Sequence, residues 1–163
     1  MPSPMDIADS MKAYLAGLFD GEGCIRIAKS RPNSHNRLGQ YWLMVSITNS
    51  CIEVLKLIQS LYGGHLIVKN RASQLRPNLR TCGEWRIVSR VGGERFLRDI
   101  FPYVFIKRRQ VEVGFSFLET FQKTNLGKKR WKIETRETVS TQRFVLKNRL
   151  HELKKDFSVD QIV

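Results

Sequence analysis

Two hydrophobic periods alternate along this chain, and each change of period falls at a glycine, proline or asparagine. Met11, Tyr14, Leu15 and Leu18 recur at i, i+3, i+4 and i+7, which predicts a helix with a core-facing stripe running to about residue 20. Asp6, Asp9 or Ser10 is placed to cap it. Its opposite side carries Ala13, Ala16, Gly17 and Asp20, mostly residues with almost no side chain where solvent would favour Lys, Glu or Gln. A helix apolar on both sides is normally buried on both. Gly21-Glu22-Gly23 then predicts a stop, since glycine accepts left-handed helix ends.

From residue 24 to 31 the period drops to two, with Ile25 and Ile27 on one face and Arg26, Ala28 and Ser30 on the other. Turn chemistry at 32–36 and a return strand over about 40–49 make a hairpin, with Tyr41, Leu43, Val45 and Ile47 facing inward. Ser50 and Glu53 have the spacing of a capping box before a helix at 51–62, ended by Gly63-Gly64. A second strand pair is predicted at 65–71 and 84–90, separated by a loop at 72–83 too long for a tight turn. Gly92-Gly93 leads into a helix carrying Phe96, Leu97, Ile100 and Phe101, which stops near Pro102. Two further helices are predicted at 107–123 and about 135–156. The order α-β-β-α-β-β-α-α-α reads as two αββ halves in a single α+β domain, with a core at about 10–123 and a helical extension from about 124 to 163.

Charge narrows the function classes. Twenty-eight Lys and Arg stand against fifteen Asp and Glu, a net charge of +13. That excess predicts attraction to a polyanion, nucleic acid before an anionic membrane. No apolar run reaches the roughly 20 residues that cross a bilayer. No strongly amphipathic helix separates Trp and Lys onto opposite faces, which disfavours a membrane-surface protein. The N-terminus lacks the basic and apolar regions of a secretory signal. Cys24, Cys51 and Cys82 are few and scattered, as suits a reducing intracellular compartment: an organelle such as a chloroplast or mitochondrion, or a prokaryotic cytoplasm. The three histidines have no ligand spacing.

The chemistry concentrates at Glu22, a carboxylate between two glycines and open to a hard divalent cation. One carboxylate is too few, because Mg²⁺ is held by one or two of them together with waters and substrate phosphates. Two copies of the chain related by a two-fold axis would bring two Glu22 side chains together, and the small face at Ala13, Ala16, Gly17 and Asp20 supplies the close approach. Asp20 itself also suits a capping hydrogen bond to backbone.

Residues 15–23, LAGLFDGEG, resemble the nine-residue signature of the LAGLIDADG homing endonucleases, position for position in character. The order of elements over about 10–123 is similar to that family's fold as well. The resemblance implies a curved four-stranded antiparallel sheet seated in the DNA major groove, and a homodimer that hydrolyses phosphodiesters of a long, pseudo-palindromic double-stranded site, leaving short 3′ overhangs. It implies Mg²⁺ as cofactor, with Mn²⁺ or Ca²⁺ able to occupy the site, and a gene carried in a mobile intron. The family's metal-binding acid falls on Glu22, with Gly21 beside it. Its basic residue near the attacking water falls on Lys107, and a polar active-site position on Asn49, where the family often has glutamine. The alternative that the resemblance leaves is a group I intron maturase, with intron RNA as partner, or a regulator of the same fold that does not cut.

If Ile25, Ile27, Leu43, Val45 and Ile47 face the core, pleating puts Arg26, Ala28, Ser30, Gln40, Trp42, Met44 and Ser46 on the other face, continued by Lys69, Arg71, Glu84 and Arg86. Trp and Met among arginines suit a major groove: Arg pairs with guanine, Gln with adenine, and apolar groups meet the thymine methyl. Glu84 accepts from cytosine or orients Arg86. In the C-terminal third, 123–155 hold eleven Lys and Arg against three Glu. There Lys128, Lys129 and Arg130 suggest phosphate contact, and the basic residues at 143–155 form either a solvated face or a further contact.

Overall fold

The computed structural model describes residues 7–34, 36–69, 81–122 and 133–155. Helix α1 (Asp9–Glu22) leads into strands β1 (Gly23–Lys29) and β2 (Tyr41–Asn49). Helix α2 (Ile52–Tyr62), strands β3 (His65–Lys69) and β4 (Cys82–Ile87), and helices α3 (Arg90–Ile100), α4 (Arg108–Gln122) and α5 (Ile133–Lys155) follow. The strands form one antiparallel sheet in the order β1-β2-β4-β3. The predicted α+β class and element order therefore stand.

Period-two burial sets the sheet's two faces. Ile25, Ile27, Leu43, Val45, Ile47, Trp85 and Ile87 are buried in one core with Leu15 and Phe19 of α1, Leu55 and Ile58 of α2, and Phe96 and Leu97 of α3. Phe96 is its centre, meeting Phe19 and Tyr62 edge-on at 5.8 and 5.0 Å and Trp85 at 5.0 Å. Such aromatic pairs add to the area they bury. The Trp85 indole N–H donates to the Gly63 carbonyl at 2.8 Å, so burying the ring leaves no donor unpaired.

Several local expectations are corrected. Helix α1 runs two residues past Asp20, and neither Gly21 nor Gly23 has positive φ. Gly23 is required by proximity instead, because a Cβ there would overlap the Phe19 ring. Among the described residues no side chain caps the start of α1, whose N-cap is Ala8; Asp6 lies outside them. The capping box does not form: Cys51 is the N-cap of α2, Glu53 pairs with Lys56 at 3.2 Å, and the Asn49 amide oxygen accepts the Cys51 N–H at 2.7 Å. Strand β1 stops at Lys29, and Ser30 and Gln40 close the hairpin beyond it, with the Gln40 N–H donating to the Ser30 hydroxyl at 2.8 Å. Strand β4 begins at Cys82 and ends at Ile87. Helix α3 already includes Gly92 and Gly93, because the Ser89 hydroxyl accepts the Gly92 N–H and starts it two residues early.

The phase of α1 is the correction with consequences. Its buried residues are Leu15, Ala16 and Phe19, with Met11 and Leu18 packed beside them, whereas Tyr14 is 51% exposed. Phe19 pulls the buried arc towards itself and takes Ala16 into the core. The small open face is then Ala13, Gly17 and Gly21, one turn apart, and not Ala13, Ala16 and Gly17.

Candidate active site and nucleic-acid interface

The end of α1 and the start of α4 are locked together by an exchange of backbone contacts. The Asp20 carboxylate accepts the N–H groups of Phe105, Ile106 and Lys107 at 2.7, 3.1 and 2.9 Å. These are donors left free before the first turn of α4, where negative charge is also favoured by the helix dipole. In return the Lys107 ammonium, 8% exposed, donates to the carbonyls of Phe19 (3.0 Å) and Asp20 in the last turn of α1. It also lies 5.8 Å from the Phe19 ring centre. Burial pulls the Lys107 pKa below the ordinary lysine value, with Asp20, Cys24 and Glu22 opposing that shift and Lys154 adding to it.

Glu22, the last residue of α1, is exposed, and among the described residues no hydrogen bond or ion pair engages it. A carboxylate at a helix C-terminus stands where the dipole disfavours negative charge and favours a cation. A free, hard oxygen ligand there fits a divalent metal such as Mg²⁺. Among the described residues no three His, Cys, Asp or Glu side chains are grouped to hold one. A Cβ built on Gly17 or Gly21 meets nothing within 4 Å, so packing inside this chain does not require either residue to be small. Phe105 and Ile106, bound through their amides to Asp20, are 62% and 52% exposed. The candidates thus separate: Glu22 and Gly21 stand open, Lys107 and Asp20 form the clamp beside them, and half-buried Asn49 uses its amide oxygen in a local turn.

On the outer face of the sheet, the register sets Arg26 opposite Met44, Ala28 opposite Trp42, and Cys24, Ser46, Arg86 and His65 in one row across all four strands. The placement matches the pleating argument, with one correction in exposure: Met44 and Ser46 are buried, not open. The Arg26 guanidinium lies against the Met44 sulfur at 3.7 Å, and Ser46 is flanked by Cys24 and Arg86. Glu84 holds Arg86 through one oxygen at 2.9 and 3.3 Å, and its other oxygen is 3.7 Å from Lys69. It therefore orients Arg86. Gln40 and Arg26 are exposed, and Trp42 and Ala28 half-exposed. Arg71, Lys128, Lys129 and Arg130 lie outside the described residues.

Sequence reasoning missed the exposure of Tyr14, Phe105 and Ile106. The signal for Tyr14 was Phe19, whose bulk shifts the buried arc; the other two carry no periodic signal.

Residues 15–87 match the family model described as LAGLIDADG endonuclease. No curated protein sequence matches the chain. Among solved structures, the homing endonuclease I-CvuI in complex with its target in the presence of calcium is similar at 19% identity and a TM-score of 0.67, over 89% of this chain and 82% of that one. I-CvuI with the I-CreI target in the presence of magnesium, its DNA not cleaved, gives 21% and 0.66 over 89% and 83%. The archaeal intron-encoded homing endonuclease I-Vdi141I complexed with DNA gives 17% and 0.63 over 89% and 84%. At these identities the likeness is one of fold. The family-model match runs from α1 to β4 and includes the motif at 15–23, and the likeness to homing-endonuclease structures extends the same fold over 89% of the chain.

Proposed function

We propose that this protein is a homing endonuclease, cutting a long pseudo-palindromic site in double-stranded DNA as a homodimer with Mg²⁺ (Mn²⁺ or Ca²⁺ occupying the same place). The observation that carries this reading is the unengaged Glu22 at the end of a helix whose outer face is Ala13, Gly17 and Gly21. A second α1 packed on that face brings its own Glu22 to the first, and Tyr14, Phe105 and Ile106 offer apolar area around the contact. Two Glu22 carboxylates together with a substrate phosphate would supply the ligand set that one chain lacks. The metal, when bound, lowers the pKa of a water and stabilises charge on the leaving oxygen. Glu22 holds the cation. Lys107 uses two of its three donors on α1 carbonyls, and the third is left for a water or phosphate oxygen at the same helix end. The outer sheet face, with Arg26, Gln40, Trp42 and Arg86, reads the major groove. Short 3′ overhangs, carriage in a mobile intron and a reducing compartment belong to this reading through the family.

The test is a cleavage selection on randomised duplex DNA with Mg²⁺. A recovered two-fold-symmetric site, cut in both strands, supports the reading. Binding of duplex or intron RNA without any cut would instead support a maturase or regulator.

A further inference from the structure

Helix α5 does not pack on the sheet's core face alone. It packs on α4 and lies along β1, one of the two edge strands of the sheet. Leu150 is buried and anchors it. Between α5 and β1 runs a groove of about 620 Å³, lined by Arg26, Ile27 and Ala28 on the strand and by Lys147, Asn148, Leu150, His151 and Lys154 on the helix. The three basic helix residues stand at i, i+4 and i+7, on one stripe. Among the described residues no acid lines the groove. Glu152, the acid nearest in sequence, turns to Lys155 at 3.2 Å.

One contact and the order of the lining residues fix where the groove leads. Lys154 Nζ is 3.2 Å from the thiol sulfur of Cys24, two residues beyond Glu22. Lys147 is at the other end of the stripe, beside the strand that continues to Ala28 and the hairpin. Arg26 belongs both to the groove and to the outer sheet face. The groove is therefore continuous with the proposed base-reading surface and runs along its edge towards the end of α1. Two lysines and an arginine held at the margin of a major-groove reader have the chemistry of a phosphate contact, which positions a duplex without reading it.

We propose that the β1–α5 groove seats the phosphate backbone of duplex DNA, with Lys147 and Lys154 as its principal contacts and His151 between them. This rests on the reading that the outer sheet face takes DNA, and it assigns to α5 a sequence-independent grip that guides one strand towards Glu22.

The test uses the full-length protein without divalent metal and a mixed-sequence DNA duplex, so that no cleavage enters the readout. Acetylation footprinting should show Lys147 and Lys154 protected by the duplex, while Lys56 on α2 stays reactive. Lys147→Gln/Lys154→Gln should flatten the dependence of log K on log salt by about 2, since each lost phosphate contact removes ~0.9. Lys147→Arg/Lys154→Arg should keep the slope. Unprotected lysines, or an unchanged slope in the Gln variant beside a steep wild-type slope, would overturn the inference while leaving the endonuclease reading intact. Should the Gln variant fail to fold, wild-type protection alone decides. Protection by an RNA duplex of the same sequence but not by DNA would also overturn it. A wild type with no salt-dependent duplex binding would remove the endonuclease reading itself.

Discussion

Asp20 and Lys107 each hold the backbone of the other's helix: the carboxylate takes three amides at the start of α4, and the ammonium takes two carbonyls at the end of α1. Each charge sits at the helix end whose dipole it complements. The pair fixes the direction in which α1 ends, and so where Glu22 stands. The conservative substitution is informative here. Asp20→Ala should cost about 1–2 kcal/mol, the upper range for loss of a helix cap, and Asp20→Asn less. Urea unfolding of the two variants measures this, and equal stability of Asp20→Ala and wild type would contradict the clamp.

Lys107 also leaves a signature in the pH dependence of stability. Its pKa is lowered in the folded chain, so between that value and the ordinary 10.5 the unfolded chain binds more protons. Stability contributed by this residue therefore rises with pH across that window. The difference in unfolding free energy between wild type and Lys107→Met, in metal-free protein, should shift in favour of wild type as pH rises towards 10.5. A difference that does not change with pH would show that burial has no such hold on the ammonium.

Glu22→Gln keeps the shape of the side chain and removes the charge that holds a cation. Cleavage with Mg²⁺ should be abolished while binding of the same DNA survives. Near wild-type cutting by this variant would place the metal elsewhere. Lys107→Met should slow the reaction less severely.

The glycines of the motif separate by what surrounds them. A Cβ at position 17 meets no atom of its own chain, so with Gly17→Leu the monomer should fold and light scattering should report one chain mass where wild type gives two. Gly23→Ala drives a methyl into Phe19 and should destabilise by about 1–3 kcal/mol. A Gly17→Leu protein that still dimerises would exclude the open face of α1 as the interface.

Arg86 is aimed by Glu84, so removing it should affect one base pair in each half-site. Arg86→Ala is expected to cost about 1–3 kcal/mol there and relax the preference. Cleavage profiles on single-base-pair variants of the target would show it. A profile with every preference intact would mean that Arg86 does not read a base.

Much of this protein is legible in its residues alone. Alternation at Ile25, Ile27, Leu43, Val45 and Ile47 determined which sheet face is core, because a strand has only two faces and a slip of one residue would expose all five. The motif at 15–23 likewise pointed to Glu22, since local composition shows a carboxylate with nothing beside it. Local pattern was weaker where neighbours compete. The phase of α1 was decided by Phe19 filling the core against Phe96, a contact 77 positions distant in sequence, and this buried Ala16 and left Tyr14 open. The capping box at Ser50 gave way to Asn49, whose side chain reached the Cys51 amide first. The clamp between Asp20 and Lys107, and the placement of α5 along β1, join residues 87 and more than 100 positions apart, and no period along the chain encodes such distances. They exist because the core brings helix ends together, and unpaired amides and carbonyls at those ends must find partners.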